Sequence, residues 1–208
     1  RQNQPNAFPD QFDQEHSRDI EPMRGGHGDN YYYQMVEGIR RFKGMPHQES
    51  TSGVKKIKID GLFSDWQDVK PEYRATRGNT IHRNSKGWGK YVYTNTTGRN
   101  DIVSAKVARD SRNLYFYVAC AESITQPCSK SWLNLFIDID RKRQTGWEGY
   151  DYMISGHSAN GKATLLRSDN GWNWSKVADV EYRVDGKSLE LVVPRKSLGL
   201  IRGDAVEF

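Results

Sequence analysis

The sequence is poor in cysteine, and the two that occur, Cys120 and Cys128, form neither a C-x-x-C pair nor a set with histidine at zinc-ligand spacing. This pattern argues against a structural zinc site. Cys120 falls on the inward face of an apolar strand, so a buried free thiol and a local disulfide to Cys128 stand as equal alternatives. Long apolar runs are also missing: no stretch approaches the length of a membrane span, and the opening Arg1-Gln2-Asn3-Gln4-Pro5-Asn6 has no apolar signal core. Arg1 is not an initiating methionine, so further sequence is expected upstream, with room for an export signal. Positive charge lacks concentration. The net charge is +5, yet the densest groups are Lys55-Lys56 and Arg141-Lys142-Arg143, both expected at a strand edge or turn, which argues against a nucleic-acid partner. Paired histidines are absent too: residues 16, 27, 47, 82 and 157 include no i, i+4 pair, and none joins a serine or cysteine nucleophile motif. His82 with Met153 is the one loose haem-ligand combination, and an ordinary structural role is the better reading of both.

What is present is glycine, 19 residues in a chain only 36% hydrophobic, a balance suited to many short strands joined by tight turns. The first fifty residues depart from it. Tyr32, Met35, Val36, Ile39 and Phe42 recur at helical spacing and predict an amphipathic helix over 31–43, capped by Asp29 or Asn30 and ending at Gly44. Residues 45–53 lack a period, are rich in breakers, and read as a linker. From Val54 the period becomes two. Strands are expected over 54–59, 102–107, 114–120, 132–138, 150–155, 164–167, 180–184 and 189–193. Between them, residues 110–113, Asn160-Gly161 and Asp185-Gly186 supply turns that join antiparallel neighbours. The expected fold is all-β, an antiparallel β-sandwich of the jelly-roll kind with an N-terminal helical segment, in which Leu133, Leu135, Ile137 and Ile139 face the core. Ala205-Val206-Glu207-Phe208 reads as a strand still in progress, so more sequence is expected beyond it.

Specific residues carry a resemblance. Ile59-Asp60-Gly61 followed by Asp65-Trp66, then Asn113-Leu114-Tyr115-Phe116-Tyr117-Val118, Leu135-Phe136-Ile137-Asp138-Ile139-Asp140 and Val193-Pro194-Arg195 with Leu198 together resemble carbohydrate-binding module family 9 over about 150 residues. That resemblance implies a sugar-binding sandwich over 54–208. A shorter stretch, Phe12 to Pro22 with Ile20-Glu21-Pro22, resembles the end of the barrel in family 99-type glycoside hydrolases. The acid expected in the first element of that motif is missing, Asp10-Gln11-Phe12 standing in its place, so the resemblance carries no catalytic role over to this stretch. Fifty residues cannot build a barrel that takes roughly 250. The resemblance thus implies that 1–50 are the tail of an upstream catalytic barrel and that this chain alone is not catalytic.

Two side-chain sets remain. Sugars offer C–H faces to aromatic rings and hydroxyls to planar polar groups, and Trp88, Trp147, Trp172 and Trp174 sit among Gly, Asn and charged residues in expected loops. These four, with Arg167 and Asn173 as polar partners, form the candidate glycan site, whereas Trp66 and Trp132 read as structural. Asp138, Asp140 and Asp151 form a candidate calcium site, because carboxylates two apart on a strand, near glycines that can turn carbonyls inward, supply hard oxygen donors. The alternative is that Asp140 caps the turn, Asp138 bonds a neighbouring strand and Arg141 or Arg143 neutralises both. Together the features lead to a secreted, periplasmic or cell-surface domain that holds glycan beside a catalytic barrel, with two competing readings: a purely buttressing sandwich, and an accessory part of a glycan-degrading enzyme's active site that includes Glu15, Asp19 and Glu21.

Overall fold

A computed structural model of the chain describes residues 50–75, 77, 78, 83–86, 92–127 and 132–200, together with 39 and 42. The chain divides into two compact units, Arg1–Gln48 with Thr80–Gly98, and Glu49–Asn79 with Arg99–Phe208. Among the described residues the strands are, in chain order, β1 (Glu72–Arg74), β2 (Arg83–Lys86), β3 (Val92–Asn95), β4 (Ile102–Arg109), β5 (Asn113–Cys120), β6 (Leu135–Ile137), β7 (Tyr152–Ser158), β8 (Lys162–Asn170), β9 (Asn173–Asp185) and β10 (Ser188–Pro194). In the first unit β2 and β3 form an antiparallel ribbon. Ile39 and Phe42 are helical and exposed, and the rest of the helix expected over 31–43 lies outside the described residues.

The second unit is built on one antiparallel sheet in the order β1-β4-β5-β10-β9-β8-β7-β6. Its inward face follows from alternation: Leu114, Phe116, Leu189, Leu191, Val193 and Tyr182 on the central strands meet Ile137, Ile154 and Leu165 from the far end in one core. Leu133, Leu135 and Ile139 pack against that core as expected. Ile102, Phe116 and Val118 from one end of the strand order, and Leu133, Leu135 and Ile154 from the other, line a single apolar cavity of about 650 Å³. The sheet therefore curls until its ends face one another. Where the sequence suggested two packed sheets, the pairing joins all eight strands. β9 makes the join, its 13 residues pairing with β8 from Asn173 to Glu181 and with β10 from Glu181 to Asp185.

On the outward face the I-D-G…D-W stretch covers β4, β5 and β10. Lys106, Tyr117 and Glu190 lie directly opposite one another across these strands. Trp66, 2% exposed, sits over that row: its ring stacks on Tyr117 at 5.3 Å, its Nε1 donates to Glu190 at 2.9 Å, and its carbonyl accepts from Lys106 Nζ at 2.8 Å. The other Glu190 carboxylate oxygen accepts from Gly61 N at 2.7 Å. A buried carboxylate is tolerable here because both oxygens are satisfied.

Several boundaries differ from the sequence reading. Residues 54–59 form no strand. The outer edge of β4 is already taken by β1 from Ser104 to Lys106, so this extended segment reaches only Arg109, through one parallel bridge at Val54 and a bond from Lys55 N. β6 is limited to three residues, β7 begins at Tyr152, and the alternation in β1 and in the β2–β3 ribbon is too short to have been recognised. Trp132 is buried with its Nε1 donated to the carbonyl of Thr125 at 2.7 Å, in keeping with a structural role. Cys120 is a buried free thiol, pushed up to about 11 by burial and by the nearby Asp101 charge, while Cys128 lies outside the described residues.

Candidate aromatic binding site

Two connections at the β6–β9 end of the sheet bring rings together. The first runs from β6 to β7. Its reversal at Trp147-Glu148-Gly149-Tyr150 is closed by mutual backbone bonds, Trp147 N to Tyr150 O at 2.9 Å and Tyr150 N to Trp147 O at 2.8 Å. Both central residues have positive φ, 52° at Glu148 and 97° at Gly149, the requirement of a primed two-residue turn. Gly146 approaches the same turn so closely that a Cβ there would lie 2.1 Å from the Tyr150 carbonyl oxygen. The glycines of Thr-Gly-Trp-Glu-Gly-Tyr thus set Trp147 and Tyr150 side by side. The second connection is the β8–β9 hairpin, whose tip is Gly171-Trp172 between the paired Asn170 and Asn173, with Ser168 Oγ donating to the Gly171 carbonyl at 2.9 Å.

These connections gather five rings. Trp147 and Trp172 meet edge to face with centroids 4.6 Å apart, and Trp172 meets Trp174 at 5.7 Å and 89°. Phe136 lies within 5.2 Å of Trp147 and 5.5 Å of Tyr150. Trp172 is 57% exposed and Tyr150 36%, while Trp147, Trp174 and Phe136 are half-buried. The Nε1 of Trp174 is buried and finds no acceptor among the described residues.

The structure therefore unites three of the four tryptophans chosen from the sequence. Trp88 lies outside the described residues. Trp174 is a strand residue and not a loop residue, because β9 starts one position before it at the exposed Asn173. Arg167 is not among the rings. It pairs across the strands with Tyr152, which itself opposes Ile137, so all three share the inward face; Trp174 opposes Ser168, the next residue, on the outward face. Phe136 and Tyr150 were missed, although alternation between the core residues Leu135 and Ile137 already turned Phe136 outward.

Arg167 instead lines a polar cleft of about 370 Å³ at the strand ends, with Asp140, Thr145, Asp151, Tyr152 and Asp169. Asp140 and Asp151 of this cleft converge with Asp138, one oxygen from each of the three lying within 4.8 Å of the others. Each also holds the loop. Asp138 Oδ1 accepts from the Asp140 and Arg141 amides at 3.0 and 2.7 Å. Asp140 Oδ1 accepts from Lys142 N at 2.9 Å and Thr145 Oγ1 at 3.0 Å, and Asp151 Oδ2 accepts from Ile139 N at 3.0 Å. Burial, then the charges of Asp140 and Asp138, raise the Asp151 carboxyl above its ordinary range against the opposing pull of the Ile139 amide and Arg167. Met153 is buried on β7, and His82, its proposed partner, lies outside the described residues.

No family model matches this chain, and no curated protein or solved structure matches it.

Proposed function

We propose that the chain from about Val54 onward is a non-catalytic carbohydrate-binding domain of β-sandwich type, akin to carbohydrate-binding module family 9, exported and attached to a glycoside-hydrolase-like barrel upstream. One observation carries the reading: Trp147, Trp172 and Trp174, selected because their chemistry suits sugar, gather with Phe136 and Tyr150 in one patch, with Trp172 more than half exposed. More than half of the Trp172 ring is left in water at a hairpin tip, where it is suited to stacking on a sugar's C–H face. Asn173, exposed beside it, supplies a planar amide for hydroxyls. Titration calorimetry against a panel of soluble glycans tests this. Trp172→Ala should weaken binding by tenfold or more while leaving the melting temperature nearly unchanged.

The competing structural reading has its own support, since the rings pack on one another and the Trp174 N–H is buried. If the patch only braces the loops, Trp147→Ala and Trp172→Ala should both lower stability, and no glycan should bind.

A calcium ion at Asp138, Asp140 and Asp151 belongs to the same proposal. Three convergent carboxylates are the donor type calcium takes, and an ion there would offset the burial and the neighbouring Asp140 and Asp138 charges that raise Asp151.

A further inference from the structure

On the carbohydrate-binding reading above, we infer that the aromatic site takes individual solvated glycan chains and rejects the flat faces of crystalline polysaccharide. A planar polymer face can be covered only by rings that lie in one plane and project to one height. These rings do neither. Trp147 and Tyr150 come nearest to a common plane, 30° apart with centroids 6.4 Å from each other, and form a short floor. Trp172 stands at 74° to Trp147 and is the most exposed ring of the group, so it rises as a wall at one side of that floor. Trp174, at 89° to Trp172, adds no second platform, and its buried Nε1 turns that edge of the ring into the protein.

The result is a corner. A single chain can lay one sugar ring on the floor and present its side to Trp172, with hydroxyls on its free side still in water. An extended crystal face would touch the wall first and be held away from Trp147 and Tyr150. The Asn170–Asn173 pairing and the Ser168–Gly171 bond set the hairpin tip, and ring contacts with Trp147 at 4.6 Å and Trp174 at 5.7 Å hold Trp172 upright on it.

The test compares two physical states of similar sugars. The intact chain is mixed with crystalline cellulose and crystalline chitin and assayed by co-sedimentation, while soluble β-glucan, xylan, mannan and starch are assayed by affinity electrophoresis. The inference predicts retardation by at least one soluble glycan, loss of that retardation by tenfold or more in Trp172→Ala, and no depletion by either crystalline polymer beyond an inert protein. Depletion by a crystalline polymer that Trp172→Ala abolishes would overturn the inference while leaving carbohydrate binding intact. Binding of soluble glycan that Trp172→Ala leaves unchanged would overturn the assigned site. Failure of every glycan in both states would overturn the carbohydrate reading and the inference with it.

Discussion

Trp66 and Trp172 are the same side chain put to opposite uses, 2% exposed in one case and 57% in the other. Trp66 has every polar need met by Glu190 and Lys106, so its neighbours should be costly to remove. Glu190→Ala leaves the Trp66 indole and the Gly61 amide without their acceptor, and chemical denaturation should report a loss of about 2–4 kcal/mol. His157 offers a second check at this scale. Burial between the rings of Trp132 and Tyr182 lowers it from 6.5 to about 4. Its folded value lies below its unfolded one, so the unfolded chain binds the extra proton between these pH values, and stability is complete above 6.5 and falls as pH drops toward 4. The loss should reach at most about 3 kcal/mol, and His157→Phe should flatten that part of the profile when melting is followed across it. A wild-type profile with no slope in that window would show that the ring is solvated.

The loop between β6 and β7 was the element most readable from sequence, because its signals are local. Asp140 was expected to cap the turn and does, while Asp138, expected to bond a neighbouring strand, accepts from the loop amides of Asp140 and Arg141 instead. Both carboxylates thus hold the loop, whatever ion it takes. If calcium also binds there, chelator should lower the melting temperature and millimolar calcium should restore it, with the change abolished in Asp140→Asn. Identical melts in chelator and calcium would leave these carboxylates as turn caps alone. Strand extents were less readable. Residues 54–59 have the right alternation, but a strand also needs a free edge, and the edge of β4 is held by β1. The side on which Arg167 falls depended on a register that only its pairing with Tyr152 fixes. Local pattern gave a strand there without giving its neighbour.

At the scale of the whole molecule, the curl of the sheet was not legible at all. It depends on contacts between strands far apart in the chain, such as β4 and β5 with β6 and β7 around one cavity, and no window of sequence contains them. The same curl leaves the β6–β9 end free to carry connections on its outward side, where the rings collect. The central claim is that those rings bind sugar while Trp66 and Trp132 hold the fold. It is tested most directly by the indole N–H signals in a nitrogen–proton NMR spectrum, assigned through single Trp→Phe variants and followed as a soluble glycan that retards the chain is added. The account predicts shifts in Trp147 and Trp172, with Trp66 and Trp132 unmoved. Spectra unchanged by every glycan, or shifts confined to Trp66 and Trp132, would contradict it.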